Sequence, residues 1–313
     1  MRTVMDGKAL ILTDGKAGHE NQSKAFARLL GLEYELLPVR FKSPAAKALS
    51  YLLDRLGVRT ARLLDGLGNL SAAAGCRAVI GTGSGTFYAA KVAAKALGVP
   101  CGVVLYPRGY ALGGFGCILA PSFDRPAAAG NVVPVPANLV AADEAFYAAG
   151  VKAFRERYEP SGKKAVAVIV GGPNKCASLS PEWMKGELDR IFAETEGCER
   201  WVTTSRRTPP EVDAVVESFK WDYALIYSKD TFNPIPAFVK LASRLYVTAE
   251  STGMLSEACT CGEAEVFALD NLGPGGGKFR RFVESLKAGG YVGGRRKIDL
   301  SPEIARAKAL LGI

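Results

Sequence analysis

Short apolar runs alternate with longer helical patterns along the chain, and this alternation is the feature that most limits its fold. In the first half, the predicted strands are residues 9–13, 34–39, 78–81, 102–106, 117–120 and 132–135. The helical patterns between them cover residues 20–30, 44–56 and 86–97. This strand-then-helix order is typical of parallel strands in a doubly wound sheet.

The same alternation restarts in the second half of the chain. A helix is predicted at residues 143–158, and the stretch at residues 159–164, which contains Pro and Gly, is typical of a linker. The strands predicted after it are residues 165–170, 201–204, 223–227, 245–248 and 266–269. A length of 313 residues also favours two domains over one.

The predicted fold class is therefore α/β, with two Rossmann-like doubly wound domains facing a cleft. We expect an N-terminal domain at residues 1–158, a C-terminal domain at residues 163–295, and a helix within residues 296–313 that packs back on the body. Open sheets of this type bind ligands at the carboxyl ends of their strands. Residues that directly follow predicted strands are therefore the candidates for function.

Composition limits the partners and the compartment. The chain carries 40 Lys and Arg residues against 31 Asp and Glu residues, a net charge of +9, which favours anionic partners or reflects only a basic surface. The basic residues are scattered without interleaved aromatic residues, so no nucleic-acid partner is expected. Seven cysteines without a CxxC pair indicate reduced thiols. With no signal-peptide pattern and no membrane-spanning run, we expect a soluble cytoplasmic protein that could associate peripherally with the inner face of a membrane.

The stretch DGKAGHENQ follows the first predicted strand and contains the only histidine of the chain. Glycines there let backbone N–H groups approach an anion, and the start of the following helix favours negative charge. The lysine adds a cation, and the histidine can titrate near neutral pH. A tight turn with a solvated histidine is the alternative. The candidate residues are Asp14, Gly15, Lys16, Gly18, His19, Asn21 and Gln22.

Three loops of the second predicted domain carry groups that suit a nucleotide diphosphate. One follows the strand at residues 165–170, one combines hydroxyls with two arginines, and one opens a helix after the strand at residues 245–248. Within that helix, Glu257 is placed to accept both hydroxyls of a ribose, and an exposed Glu257 after a capped helix start is the alternative. The candidate residues are Gly172, Asn174, Lys175, Ser205, Arg206, Ser251, Gly253, Met254 and Glu257.

Several nucleotide and hydrolase motifs do not occur in the sequence. The GTGSGT stretch at residues 81–86 resembles a phosphate-binding loop but lacks GxGxxG spacing, and close helix–strand packing is the alternative. The glycine run before Lys278 is one residue short of Walker A spacing, which argues against an ATPase. No DxD motif supports a metal–diphosphate site, and no G-x-S-x-G elbow supports a hydrolase. We expect neither a metal nor a cofactor.

Four segments together resemble the mitochondrial-fission family of bacterial and plant proteins: DGKAGHENQS, GGPNK, TSRRTP and TAESTGMLSEA. The same loops are similar to those of GT-B glycosyltransferases. The opening loop resembles the acceptor-side loop of the transferase that adds N-acetylglucosamine to a lipid-linked peptidoglycan precursor, although it lacks the longer glycine run followed by Pro. The stretch around Glu257 resembles the donor-side motif of that enzyme and of non-hydrolysing UDP-N-acetylglucosamine 2-epimerases.

This resemblance implies a metal-independent glycosyltransferase that uses a nucleotide-diphosphate sugar and an envelope or lipid-linked acceptor. The N-terminal domain would be the acceptor side and the C-terminal domain the nucleotide-sugar side. His19 would be the general base on an acceptor hydroxyl or a phosphate contact, Glu257 would hold the ribose, and Asp270 and Asn271 would meet the sugar hydroxyls. A nucleotide-sugar epimerase of GT-B fold and a non-catalytic scaffold of the mitochondrial-fission family are the alternatives.

Overall fold

The computed structural model describes residues 7–68, 70, 73, 75–140 and 143–313. The chain divides into two compact units, of which the first comprises Met1–Ala141 with Asp299–Ile313 and the second comprises Ala142–Ile298. Residues 1–6, which belong to the predicted N-terminal domain, lie outside the described residues. Each unit is built on its own parallel sheet.

In the first unit, six parallel strands form one sheet and two very short strands pair antiparallel beside it. The strands are β1 (Lys8–Thr13), β2 (Glu33–Pro38), β3 (Arg40–Phe41), β4 (Leu64–Asp65), β5 (Ala78–Thr82), β6 (Cys101–Val104), β7 (Cys117–Pro121) and β8 (Val132–Val135). The sheet has the order β2-β1-β5-β6-β7-β8, and β3 pairs with β4. The inner strands are buried on both faces, which is why they appear in the sequence as continuous apolar runs.

The second unit has a five-stranded parallel sheet. Its strands are β9 (Ala165–Ile169), β10 (Glu199–Thr203), β11 (Tyr223–Leu225), β12 (Arg244–Thr248) and β13 (Glu265–Leu269). They lie in the order β11-β10-β9-β12-β13. All the strands predicted from the sequence are present in the two sheets, with ends that differ by at most two residues.

Helices connect the strands of both sheets. They are α1 (Ala17–Leu30), α2 (Pro44–Arg55), α3 (Phe87–Leu97), α4 (Glu144–Arg155), α5 (Pro181–Glu194), α6 (Pro210–Glu217), α7 (Ile235–Leu241), α8 (Thr252–Cys261), α9 (Gly277–Ala288) and α10 (Ser301–Leu311). Helix α10 packs against β7 and β8 of the first unit, in agreement with the expected return of the C-terminal helix. Within the described part of the chain, no helix is both long and apolar enough to span a bilayer.

The boundary between the units differs from the predicted one near residue 160. Helix α4 belongs to the second unit, because Phe154 is fully buried against the rings of Trp201 and Phe238 at 5.2 and 5.8 Å. The linker-like stretch that follows is also held there, since the backbone and hydroxyl of Ser161 donate to Glu199 at 2.9 and 2.5 Å. The polar stretch at residues 159–164 is therefore a surface turn of the second unit and not a linker between domains. The boundary between the two units falls between residues 141 and 142.

In each sheet, the strand order reverses at one point, and open sheets bind ligands outside the carboxyl ends of the strands there. In the first sheet the reversal lies between β1 and β5, and in the second it lies between β9 and β12. The loops after these four strands contain most of the predicted site residues.

Candidate functional site

At the reversal point of the first sheet, an aspartate and a histidine form a pair. His19 lies in the first turn of α1, because the helix begins at Ala17 and not near Glu20 as predicted. Its Nδ1 atom is 3.1 Å from both carboxylate oxygens of Asp14. The carboxylate is a natural acceptor for an Nδ1–H, which leaves Nε2 as the ring nitrogen that can take or give a proton.

Asp14 is held in its ionised form. The Lys16 ammonium lies 3.2 Å from one of its oxygens, and only 10% of the Asp14 side chain is exposed. Burial by itself raises the pKa of this carboxyl, but the charge of His19 and hydrogen bonds from Lys16 and His19 outweigh burial and hold the pKa below its usual value. Asp14 can therefore orient the His19 ring and stabilise its protonated form.

The GTGSGT loop after β5 makes room for this pair. A methyl group on Gly83 would lie 2.3 Å from Cε1 of His19, and one on Gly85 would lie 2.7 Å from Oδ2 of Asp14. Gly83 also has a φ of +83°, in the region that favours glycine. The glycines of this loop therefore allow close packing and do not form a GxGxxG phosphate-binding loop. The groups that they pack against are His19 and Asp14.

The other residues of the opening loop separate into two groups. Gly15 has a φ of +78°, and it lies exposed with Lys16, Gly18 and Asn21. Gln22, in contrast, is engaged within the protein: its amide donates to the carbonyl of Leu139 at 2.7 Å and accepts from the Leu139 N–H at 2.8 Å. The predicted ligand contact of Gln22 is therefore replaced by a structural role.

A pocket of about 430 Å³ opens beside Asp14 in the first unit. Its walls include residues 13–15 at the end of β1 and residues 38–40 at the end of β2, and the Arg40–Asp65 ion pair at 3.1 Å lies on its exposed rim. The short β3–β4 pairing shapes it, since a methyl group on Gly66 would lie 2.1 Å from the carbonyl of Pro38. The sequence pattern missed this pocket because two-residue strands carry no periodicity.

At the reversal point of the second sheet, Glu250 is a buried hydrogen-bonding centre. Its carboxylate accepts from the Gly172 N–H at 2.9 Å, the Thr248 hydroxyl at 3.1 Å and the Asn271 amide at 2.8 Å. Only 4% of Glu250 is exposed. It joins the loops that follow β9, β12 and β13, and its position two residues after a buried strand was the signal that the sequence reasoning missed.

The two glycines after β9 allow this packing. A methyl group on Gly171 would lie 1.9 Å from Oε1 of Glu250, and one on Gly172 would lie 2.3 Å from the carbonyl of Arg207. The Gly172 N–H donates to Glu250, so it is not the diphosphate donor that the loop predicted. Gly171 instead lets the loop after β12 approach the loop after β9, and Gly172 lets the loop after β10 do the same.

Two cations lie on the turns of this frame. Arg206 is exposed on a turn in which the Ser205 N–H donates to the Thr208 hydroxyl at 2.8 Å. Lys175 is exposed on the turn in which Asn174 accepts from the Cys176 N–H at 2.7 Å. Ser205 and Asn174 therefore stabilise their own turns, whereas Arg206 and Lys175 extend from them.

Helix α8 begins at this reversal point. The first backbone hydrogen bond of the helix runs from the Leu255 N–H to the Ser251 carbonyl. Within the described part of the chain, the Ser251 side chain does not cap the helix with a hydrogen bond. The N–H groups of Gly253 and Met254 precede that bond, and a helix N-terminus of this kind favours anions. All three predicted residues of this segment thus lie at the helix start.

Glu257 lies one and a half turns into α8. It accepts from the Tyr147 hydroxyl at 2.9 Å. Burial raises the pKa of the Glu257 carboxyl above its usual value near 4.5, although the hydrogen bond from Tyr147 acts in the opposite direction. Burial and the Glu257 carboxylate also raise the pKa of Tyr147, so its hydroxyl remains a donor. Glu257 is therefore not the exposed residue of the alternative prediction.

The two residues expected to meet sugar hydroxyls have other partners. Asp270 forms an ion pair with Arg280 at 3.0 Å and accepts from the Leu272 N–H at 3.1 Å. Asn271 is buried and donates to Glu250, while its Oδ1 atom has no hydrogen-bond partner among the described residues. Asp270 thus stabilises its own turn, and Asn271 belongs to the frame around Glu250.

Solved structures with a similar fold cover nearly the whole chain. A putative UDP-N-acetylglucosamine 2-epimerase from Listeria monocytogenes is 11% identical over 98% of this chain and 88% of its own, with a TM-score of 0.51. MurG from Acinetobacter baumannii is 12% identical over 98% of this chain and 91% of its own, with a TM-score of 0.48. At such an identity the likeness to the structure from Listeria monocytogenes concerns the fold alone, and it confirms the predicted α/β class of GT-B type.

No curated protein sequence matches the chain. A sequence model described as mitochondrial fission ELM1, however, matches residues 17–298, which include the loops of both reversal points from α1 onward. The resemblance predicted from the four short segments is therefore confirmed, and the chain belongs to the mitochondrial fission ELM1 family.

Proposed function

We propose that this protein is a metal-independent glycosyltransferase that uses a nucleotide-diphosphate sugar. The observation that carries the proposal is the Asp14–His19 pair, which lies at the reversal point of the first sheet and for which Gly83 and Gly85 leave space. A largely buried carboxylate that orients a histidine is an arrangement suited to general-base catalysis. The GT-B-type fold is the context in which such a pair acts on a sugar acceptor.

The second unit is proposed to bind the nucleotide. The start of α8 and the exposed cations Lys175 and Arg206 suit the diphosphate, whose negative charge grows as it leaves. Tyr147 donates to Oε1 of Glu257, so Oε2 is the oxygen proposed to accept a ribose hydroxyl. Asp270 and Asn271 are not part of this proposal, because Asp270 is already paired with Arg280 and Asn271 with Glu250.

The first unit is proposed to activate the acceptor. Nε2 of His19 takes the proton of an acceptor hydroxyl, the hydroxyl oxygen forms a bond to the sugar C1, and the bond from C1 to the diphosphate oxygen breaks. Asp14 stabilises the imidazolium that results. The pocket beside Asp14 is proposed to hold the part of the acceptor next to that hydroxyl, and an envelope or lipid-linked acceptor is the class proposed.

A nucleotide-sugar epimerase is the second candidate, and the fold likeness to the putative epimerase from Listeria monocytogenes favours it. An epimerase converts its sugar without an acceptor, whereas a transferase consumes the sugar only when an acceptor hydroxyl or water is present. Incubation with the nucleotide sugar alone, followed by separation of the sugar products, distinguishes the two reactions.

The test is a thermal-shift screen against UDP, GDP, CMP, ADP, TDP and their sugars. A ligand at 100 times its dissociation constant adds about 2.7 kcal/mol to the stability of the folded state. We expect one nucleotide family to raise the Tm of the wild type, and Glu257→Gln to weaken that binding about tenfold through loss of a charged acceptor. Glu182→Gln, at an exposed position on α5, is the matched control and should bind as the wild type does.

Either of two results would contradict the proposal. The first is a wild type that no nucleotide stabilises at millimolar concentration, which would favour the non-catalytic scaffold. The second is equal loss of binding in Glu257→Gln and Glu182→Gln, which would show that the effect is not specific to the start of α8.

A further inference from the structure

Helix α2 in the first unit packs Tyr51 and Leu53 against the core, but it turns a second row of leucines toward solvent and buries two polar side chains. Its fully buried residues are Ser50 and Asp54. Leu49, Leu52 and the following Leu56 are 43%, 56% and 67% exposed. A surface helix normally turns its apolar stripe toward the core, so this orientation requires a specific cause.

Polar contacts hold α2 in this orientation. Asp54 binds the buried Lys91 ammonium at 2.9 Å and the Arg59 guanidinium at 3.2 Å. The Ser50 and Tyr110 hydroxyls are 2.9 Å apart. Because these contacts involve a buried charge and its partners, rotation of the leucines toward the core would leave that charge unpaired, at a high free-energy cost.

The outward face of α2 belongs to a cationic part of the surface. Residues 40–65 contain six Lys and Arg residues and two acidic residues, of which Asp54 is completely buried and Asp65 pairs with Arg40. Lys42, Arg55 and Arg62 are exposed around the leucines. Val58, which is 43% exposed, extends the apolar area beyond the helix. Of the six large hydrophobic side chains that are exposed in the described residues, four therefore lie within residues 49–58.

We propose that α2 docks this protein onto an anionic lipid bilayer. The leucine face would enter the boundary between headgroups and acyl chains, and the flanking cations would contact anionic headgroups. The cationic rim and the apolar face of α2 match an anionic bilayer, because the bilayer offers negative headgroups to the cations and an apolar interior to the leucines. A contiguous exposed apolar patch also marks an interaction surface on its own.

The docking helix is close to the Asp14–His19 pair. The Lys47 ammonium at the start of α2 donates to the Ser84 hydroxyl at 3.0 Å, and the neighbouring Gly83 lies against the His19 ring. Docking would therefore bring this reversal point to the membrane surface, which suits a lipid-linked acceptor. Vesicle binding needs no nucleotide, so its outcome is independent of the glycosyltransferase proposal.

The test is cosedimentation of the full chain with vesicles of phosphatidylcholine alone or with equal parts of phosphatidylcholine and phosphatidylglycerol. We expect binding to the anionic vesicles only, and a loss of about 100-fold in the triple variant Leu49→Ser, Leu52→Ser and Leu56→Ser. Arg55→Glu should weaken binding about tenfold, and this loss should shrink at high salt. Leu36→Ser, at another exposed leucine of the first unit, is the matched control and should bind as the wild type does.

Three results would overturn the proposal. One is a wild type that stays in the supernatant with both kinds of vesicle, and another is a triple variant that binds as well as the wild type. The third is a wild type that forms dimers which the triple variant abolishes, without vesicle binding, since α2 would then be a contact between two copies of the chain. Because the leucines are exposed, the triple variant should have the same Tm as the wild type. If the triple variant melts at a lower temperature, Arg55→Glu tests the proposal in its place.

Discussion

The two reversal points use the same kind of loop for opposite purposes. In the first unit, glycines after β5 leave space for Asp14 and His19, a titratable pair that stays partly exposed. In the second unit, glycines after β9 leave space for Glu250, which is buried and bound to three donors. A glycine after a strand therefore indicates a close approach, but the approaching group decides whether the loop serves chemistry or support.

The first contrast to test is that the proposed proton-transfer group lies at the first reversal point. His19→Asn should lower the rate of sugar transfer, or of donor hydrolysis, about 10²–10⁴-fold, because general-base catalysis contributes that range. The Tm should stay close to that of the wild type, since the side chain is 26% exposed. The measurement is release of the nucleotide diphosphate from the donor identified by thermal shift. A rate within about threefold of the wild type would exclude His19 as the base.

The second contrast is that a methyl group in the second reversal point should damage stability. Gly171→Ala places a methyl group 1.9 Å from the Glu250 carboxylate, which is buried and held by three donors. We expect a loss of about 3 kcal/mol and a fall in Tm of about 10 °C by calorimetry. Gly186→Ala on α5, where a methyl group meets no atom within 4 Å, is the control and should be neutral or slightly stabilising. Equal melting of the two variants would contradict the supporting role of Glu250.

The same change in the first reversal point should damage activity more than stability. Gly83→Ala and Gly15→Ala share a positive φ near +80° and hence a similar backbone cost of about 1 kcal/mol. Only the methyl group on residue 83 meets the His19 ring, whereas residue 15 has open space. We expect about 100-fold lower activity for Gly83→Ala and less than about tenfold for Gly15→Ala. Matching rates in the two variants would show that the contact with His19 is unimportant.

The smallest expected effect is a pH-dependent change in the Tm of the Glu257→Gln variant. Burial raises the pKa of its carboxyl in the folded state, so its contribution to stability is fully present below about pH 4.5 and is lost as pH rises through the folded-state pKa. Glu257→Gln keeps the size and the acceptor for Tyr147 but removes this penalty. Its Tm should exceed that of the wild type by about 2 °C at pH 7, and the gap should close near pH 4. Thermal melts across pH 4–8, with Glu182→Gln as control, measure this, and a less stable variant at pH 7 would contradict it.

Much of the fold could be predicted, because apolar runs and helix periodicity act over a few residues. The strand at residues 132–135 has the predicted bounds, and α2 begins at Pro44 as predicted, where Ser43 caps the helix. The boundary near residue 160 was misplaced, since a polar turn that binds a buried glutamate has the same composition as a linker. The composition of a short segment does not show which distant residue the segment binds.

The candidate site was predicted only in part, for the same reason. Asp14 and His19 are five residues apart, so the sequence by itself placed both of them just after β1, although His19 lies in α1 and not in the predicted loop. Contact of Gly83 with His19, and of Glu250 with Asn271, joins residues from different strands, and only the tertiary structure decided these contacts. Helix α2 likewise has leucines at helical spacing, and the buried Asp54–Lys91 pair decided that Leu49, Leu52 and Leu56 face outward. Backbone preferences and periodicity are local, whereas the partner of a buried charge depends on which elements the fold brings against it.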